Sequence, residues 1–362
     1  MEFQTDWRGR RTGRANPMSK PPVFVLGSAR SGTTLLYHTL LSSGSFAVYR
    51  TEPAAFDLLA PKFGSLSELG NRKRLLDVWF RSYQFRLSGL ERNSLESRIL
   101  GECRNYGDFL QIVMNEIARI QGVERWAVWG PDNLLHIPTI VRDVPNALFV
   151  HMIRDGRDVA VSLDKEGWIH SFPWDSKRAM LAGALHWKWK VEQGRSAGRN
   201  IPGRYLEVHF ENLVSRPEET LATIGAFIGQ DLNHSAIAKT AVGTLSNPNS
   251  TFREDRNPAT GNPIGRWERR LSHADIASLE SVIGDLLLEL GYGLMFHSPA
   301  QRNFQVRTMQ KLYPPYFAAK EWLRTPTPLG RFVNTDRLRF GDDPAGQNQE
   351  RESPCQPDHA NA

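Results

Sequence analysis

The stretch that most constrains this 362-residue chain is Pro22 to Leu36, PVFVLGSARSGTTLL. Val23–Leu26 is a short apolar run that reads as a fully buried strand. A helical pattern follows, TLLYHTLLSS, with Gly44 just past its end. Between them lies a loop of glycines and hydroxyls, GSARSGTT. Gly27 and Gly32 have the spacing of a phosphate loop, in which inward backbone N–H groups and a helix N-terminus attract an anion. The lysine that nucleotide-hydrolysing loops carry is replaced by Thr33, although Thr34 keeps the following hydroxyl. The positive charge sits inside the loop instead, at Arg30, where a forked guanidinium suits a single phosphate group.

Further strands are expected at Arg125–Trp129, Ala147–Ile153 and Arg204–Phe210, each followed by helical periodicity. Strands alternating with helices predict an α/β fold: three layers, a central mostly parallel sheet flanked by helices, and a P-loop-like nucleotide-binding core. Ligands in such folds bind at the carboxyl ends of strands, so the loops after Leu26, Ile153 and Phe210 are where chemistry is expected. The proposed organisation is a disordered basic tail over 1–20, a domain over 21–295, a basic aromatic extension over 296–335 and a disordered tail over 336–362. A polar loop rich in proline, glycine and asparagine covers about 246–266.

A second anion site is suggested by HMIRDGRDVAVSL. Arg154 follows the strand, and Ser162 lies eight residues on, two turns into the next helix. An arginine and a serine so placed can share one phosphate. The competing reading makes Arg154 and Arg157 surface charges paired with Asp155 and Asp158. Together the two sites fit a nucleoside with a 5′ phosphate group and a 3′ phosphate.

Composition narrows the field. The formal charge is +6, and residues 1–20 hold Arg8, Arg10, Arg11, Arg14 and Lys20 against only Glu2 and Asp6. No basic stripe with interleaved aromatics remains for nucleic acid, so a small anionic ligand fits better. Cys103 and Cys355 lie too far apart to suggest a metal site or a disulfide framework, which points to a reducing compartment. No apolar run reaches membrane-span length and no secretory signal opens the chain, so a cytoplasmic protein is expected.

These motifs resemble the PAPS-dependent sulfotransferase family, in its bacterial-type branch. GSARSGTTLL is similar to the family's 5′-phosphosulfate loop and RDGRDVAVSL to its 3′-phosphate motif. YLEVHFENLVSRPEETLATIGAFIG and GRWERRLSHADIASLESVIGDLLLELGY extend the likeness, which runs from about 21 to 295. The resemblance implies that 3′-phosphoadenosine 5′-phosphosulfate (PAPS) is the cosubstrate. Arg30, Ser31, Gly32, Thr33 and Thr34 would hold its phosphosulfate, and Arg154 and Ser162 its 3′ phosphate. Phe210 falls where many members place an aromatic near adenine, or is a core residue ending a strand. Arg266 matches a loop that closes over the 3′ phosphate in some relatives, or is a solvated arginine. No metal is required, because arginines already match the leaving phosphate. Where many relatives carry Lys-Thr-Pro, this chain has Trp129, Gly130 and Pro131.

An acceptor hydroxyl needs a base. Glu52, in YRTEP after an expected second strand, is the first candidate, against a plain helix-start carboxylate. Asp132 and His136 follow. Trp174, Trp187 and Trp189 are candidates for an aromatic acceptor pocket, although helical spacing favours core packing. The acceptor, whether small molecule, sugar, lipid or peptide tyrosine, is open, and a homodimer is compatible with the sequence. The alternatives are a divergent P-loop kinase or NTPase, and a nucleotide-binding scaffold of the same fold without catalysis.

Overall fold

The structure is a computed structural model that describes residues 20–172, 178–240, 263–296 and 304–324. The N-terminal tail, Trp174, most of the 246–266 loop, Cys355 and the 336–362 tail fall outside the described residues.

Four parallel strands form one sheet in the order β2-β1-β3-β4: β1 Val23–Gly27, β2 Ala127–Trp129, β3 Leu148–Ile153 and β4 Tyr205–His209. In register, Val25 pairs with Trp129, Gly27 with Met152 and Ile153 with His209. This order puts the topological switch between β1 and β3, where an open α/β sheet forms a crevice at its carboxyl edge. Two of the three loops singled out by the sequence, those after Leu26 and Ile153, leave these two strands.

Both sheet faces are buried, which explains the near-continuous apolar strands. Alternate residues of β1 serve opposite sides. Phe24 and Leu26 join a core with Trp79, Phe109 and Phe149, while Val23 and Val25 join one with Leu36, Leu40 and Ile224. Helix α1 (Thr33–Ser42) follows β1. On the first side lie short helices α2 (Ala60–Phe63), α3 (Leu69–Trp79), α4 (Tyr83–Ser88) and α5 (Arg92–Glu102), then α6 (Tyr106–Gln121) and α7 (Ile137–Asp143). Helix α8 (Gly156–Glu166) follows β3 and packs on α9 (Ala179–Gly198). After β4 come α10 (Phe210–Ser215), α11 (Pro217–Ile228), α12 (His234–Thr240), α13 (Arg266–Arg270), α14 (His273–Glu289) and α15 (Phe304–Arg324).

Local chemistry sets several ends. Pro217 occupies the first turn of α11 and Gly229 closes it in the left-handed conformation. Ser272 and Asp275 make a reciprocal capping box on α14, and Asn105 with Asp108 does the same on α6. The expected strand before Glu52 is reduced to one bridge, Ala47 to Trp126. Its backbone is tied down by side chains instead: Tyr37 donates to the Tyr49 carbonyl at 2.6 Å, and Gln121 brackets Val48.

Candidate active site

The loop after β1 turns sharply. Arg30 has φ 70°, a left-handed backbone uncommon outside glycine, and Gly32 has φ 89° as it caps α1. A Cβ on Gly32 would stand 2.4 Å from Cδ2 of Phe210, so the loop backbone lies directly against that ring. Ser28 and Ser31 are fully buried, and their hydroxyls find no hydrogen-bond partner among the described residues. Buried hydroxyls are normally satisfied. Two such groups in a loop at a helix N-terminus fit an anion with several acceptor oxygens.

The second motif folds onto the first. Arg30 Nε donates to Ser162 Oγ at 2.9 Å, its Nη2 lies 3.6 Å from Glu166, and its guanidinium sits 5.4 Å from the Trp168 ring centre. Arg154 Nη1 donates to the Arg30 carbonyl at 3.1 Å and Nη2 to the Pro263 carbonyl at 2.8 Å. Its guanidinium covers the Phe210 ring at 4.5 Å. Ser162 therefore contacts Arg30, and the two motifs meet on one surface at the crevice, where both arginines are largely buried beside carboxylates.

The loop 263–267 closes that surface from outside. The buried Asp158 carboxylate accepts from the backbone N–H groups of Gly265 (3.0 Å) and Trp267 (2.9 Å) and lies 3.6 Å from Arg154. Burial pushes the Asp158 carboxyl above its ordinary range, against the pull of Arg154. Arg157 is buried too, paired with Asp155 at 2.7 Å and Glu280 at 2.6 Å beneath the Trp267 ring. The reading of Arg154 and Arg157 as surface charges is thereby corrected: sequence shows the ion pairs but not the helix that covers them. Arg266 is buried at the start of α13.

Two adjoining cavities meet here. The first, about 250 Å³, is lined by Arg30, Gly32, Thr33, Thr34, Arg154 and Phe210, among others. The second, about 630 Å³, is lined by Asp132, His170, His186, Phe317, Lys320 and Glu321, among others. Glu52, Pro131, Ala29 and Trp168 border both. Glu52 thus stands where the two spaces join. Asp132 reaches only the second cavity, held by Lys190 of α9 at 2.7 Å. His136 lines neither; burial, with Lys190 nearby, lowers its pKa to about 4.

The tryptophans are redistributed. Trp187 is fully buried against Gly156, and Trp189 packs on Phe317. Both are core residues, as helical spacing suggested. Trp168, not selected from the sequence, lines both cavities. Trp129 ends β2 in register with Val25 and lines the first cavity.

The Sulfotransferase family profile matches residues 21–234, more than half of the chain and both anion motifs. The chain belongs to the Sulfotransferase family. Protein-tyrosine sulfotransferase 1 of Danio rerio is 25% identical over 280 residues, covering 75% of this chain and 72% of that protein. A Caenorhabditis briggsae relative, named provisionally as a protein-tyrosine sulfotransferase, is 25% identical over 180 residues. That match covers 48% of this chain and spans 62% of the relative's length. Among solved structures, the sulfotransferase domain of the Synechococcus PCC 7002 olefin synthase aligns over 82% of this chain and 94% of its own, at 18% identity and TM-score 0.42. The family match stops before the loop 263–267 and before α15, both of which border the cavities.

Proposed function

We propose that the protein transfers a sulfuryl group from PAPS to an acceptor hydroxyl. The observation that carries this reading is the position of Glu52, a carboxylate on the boundary between a basic cavity built from the lysine-less loop and a larger cavity beside it. In this reading the loop from Arg30 to Thr34 holds the phosphosulfate. Arg154 and Ser162 hold the 3′ phosphate, and Phe210 lies beside adenine. The acceptor occupies the larger cavity.

The chemistry is an in-line displacement at sulfur. The acceptor oxygen forms the new S–O bond as the bond from sulfur to the bridging phosphate oxygen breaks, leaving its electron pair on that oxygen. Loop N–H groups and Arg30 stabilise the growing charge, and the Glu52 carboxylate takes the acceptor proton. Trp129 leaves no lysine beside the bridging oxygen, so Arg30 carries the cationic stabilisation of this step.

The test is incubation with sulfur-labelled PAPS and a cell extract, followed by identification of the labelled product. Transfer is expected, and Glu52→Gln should lower turnover by about 10²–10⁴ with adenosine 3′,5′-bisphosphate binding intact. Binding of the bisphosphate without transfer to any acceptor would identify a scaffold instead. Stabilisation by ATP and magnesium, but not by the bisphosphate, would identify a kinase-like protein.

A further inference from the structure

The C-terminal helix α15 lies beyond the matched family region and packs one face inward. Met309, Tyr313 and Phe317 are buried in the core shared with α9 and α14. Its opposite face is unusual. At helical spacing it exposes Phe304 (82% exposed), Leu312, Trp322 (60% exposed) and Leu323. Arg307 and Lys311 are exposed among them, and the other exposed positions, Pro315, Ala318 and Ala319, are small and uncharged. Among the described residues no carboxylate of the helix lies on this face. The single acid of the helix, Glu321, is half-buried and lines the larger cavity. A solvated helix face normally mixes charges of both signs and few large apolar groups.

We propose that α15 lies in the headgroup layer of an anionic lipid membrane. Large apolar and aromatic side chains interspersed with arginine and lysine, without acids, are the pattern of an interfacial helix: the apolar groups enter the acyl boundary and the cations meet lipid phosphates. Charge selects this occupant over a second copy of the chain, because two such faces bring only cations together and offer no counter-charge. Lys320, Glu321 and Phe317 on the flank of α15 wall the larger cavity. Docking therefore brings that cavity within about one helix diameter, about 10 Å, of the lipid surface. An acceptor hydroxyl carried on a lipid is then within reach; that last step alone rests on the sulfotransferase reading.

The test is co-sedimentation of the full chain with vesicles of phosphatidylcholine alone, and of equal parts phosphatidylcholine and phosphatidylglycerol. Binding should favour the anionic vesicles by more than about tenfold and weaken as salt rises. The double variants R307E/K311E and W322E/L323E should each lose that preference while keeping the wild-type melting temperature and adenosine 3′,5′-bisphosphate binding. Equal binding to both vesicle types, or none, overturns the proposal. Retention by R307E/K311E also overturns it, because adhesion would then come from elsewhere, such as the basic residues 1–20. Retention by W322E/L323E overturns it as well, since charge adsorption without insertion would then suffice. Vesicle binding is read without any transfer reaction, so its failure is distinct from failure of the proposed activity.

Discussion

Arg30 and Ser162, 132 residues apart in the chain, share a hydrogen bond of 2.9 Å across the mouth of the sheet crevice. It joins the loop after β1 to the helix after β3, so the two anion motifs are mechanically one unit. Arg30 is held there from three sides, by Ser162, Glu166 and the Trp168 ring.

Ser162→Ala should weaken adenosine 3′,5′-bisphosphate binding about tenfold, the loss of one hydrogen bond to a charged group. Titration calorimetry on Arg30→Ala, Ser162→Ala and the double variant reads the coupling. Because the residues touch, the double variant should lose clearly less than the sum of the single losses. Strict additivity would mean that the two motifs bind independently.

Gly32→Ala should damage both stability and nucleotide binding. The new Cβ meets the Phe210 ring at 2.4 Å, and φ 89° is strained for any L side chain. A loss of about 2 kcal/mol or more is expected in urea unfolding. Measured against Phe210→Ala alone, which itself loses a buried ring, Gly32→Ala should cost less, because the collision is gone while the strained dihedral remains, so only part of its effect is recovered. Full recovery would assign the whole effect to the ring.

Much of this was legible in the sequence for definite reasons. A strand buried on both faces writes a near-continuous apolar run, so Val23–Leu26 and Leu148–Ile153, interrupted only by His151, could be read directly. Caps are local, so Pro217, Gly229 and Ser272 marked their helix ends. The strand expected before Glu52 was a misreading, because an apolar run there packs through Phe46 and Tyr49 while only Ala47 makes a ladder bridge. The partners of Arg30 and Arg154 were hidden for a different reason. Glu166, Trp168 and the Pro263 carbonyl come from segments whose approach depends on how α8, α13 and the sheet pack, and no residue spacing encodes that. Trp168 left no signal at all beside the helically spaced Trp187 and Trp189, which proved to be core.

The Asp132–Lys190 pair predicts an asymmetry. Lys190 is buried, its side chain 1% exposed, whereas Asp132 faces the larger cavity. Asp132→Asn leaves a buried ammonium without its carboxylate and should cost on the order of 3–5 kcal/mol. Lys190→Met leaves a carboxylate that water in the cavity can reach, so it should cost clearly less. The double variant should recover most of the loss seen in Asp132→Asn. Equal losses in the two single variants, measured by urea unfolding, would show that Asp132 is as enclosed as its partner.

The last prediction concerns acid. His151, in the centre of β3, is fully buried with Nδ1 against the Tyr205 hydroxyl, and burial, with Arg195 and His209 nearby, lowers its pKa to about 3. A histidine with a depressed folded pKa stays neutral in the native state while the unfolded chain takes up a proton near pH 6.5. Its contribution is therefore fully present above about pH 6.5 and is lost as pH falls toward about 3, by on the order of 5 kcal/mol over the whole window. His136, lowered to about 4, acts in the same direction. The buried Asp158 and Glu211 carboxyls, raised by burial, act in the opposite one. Comparing wild type with His151→Gln removes these shared contributions. Between pH 6.5 and 4 the urea midpoint of wild type should fall more steeply than that of the variant, even if the variant starts lower. Parallel profiles would mean that His151 takes up its proton in the folded protein as readily as in the unfolded chain.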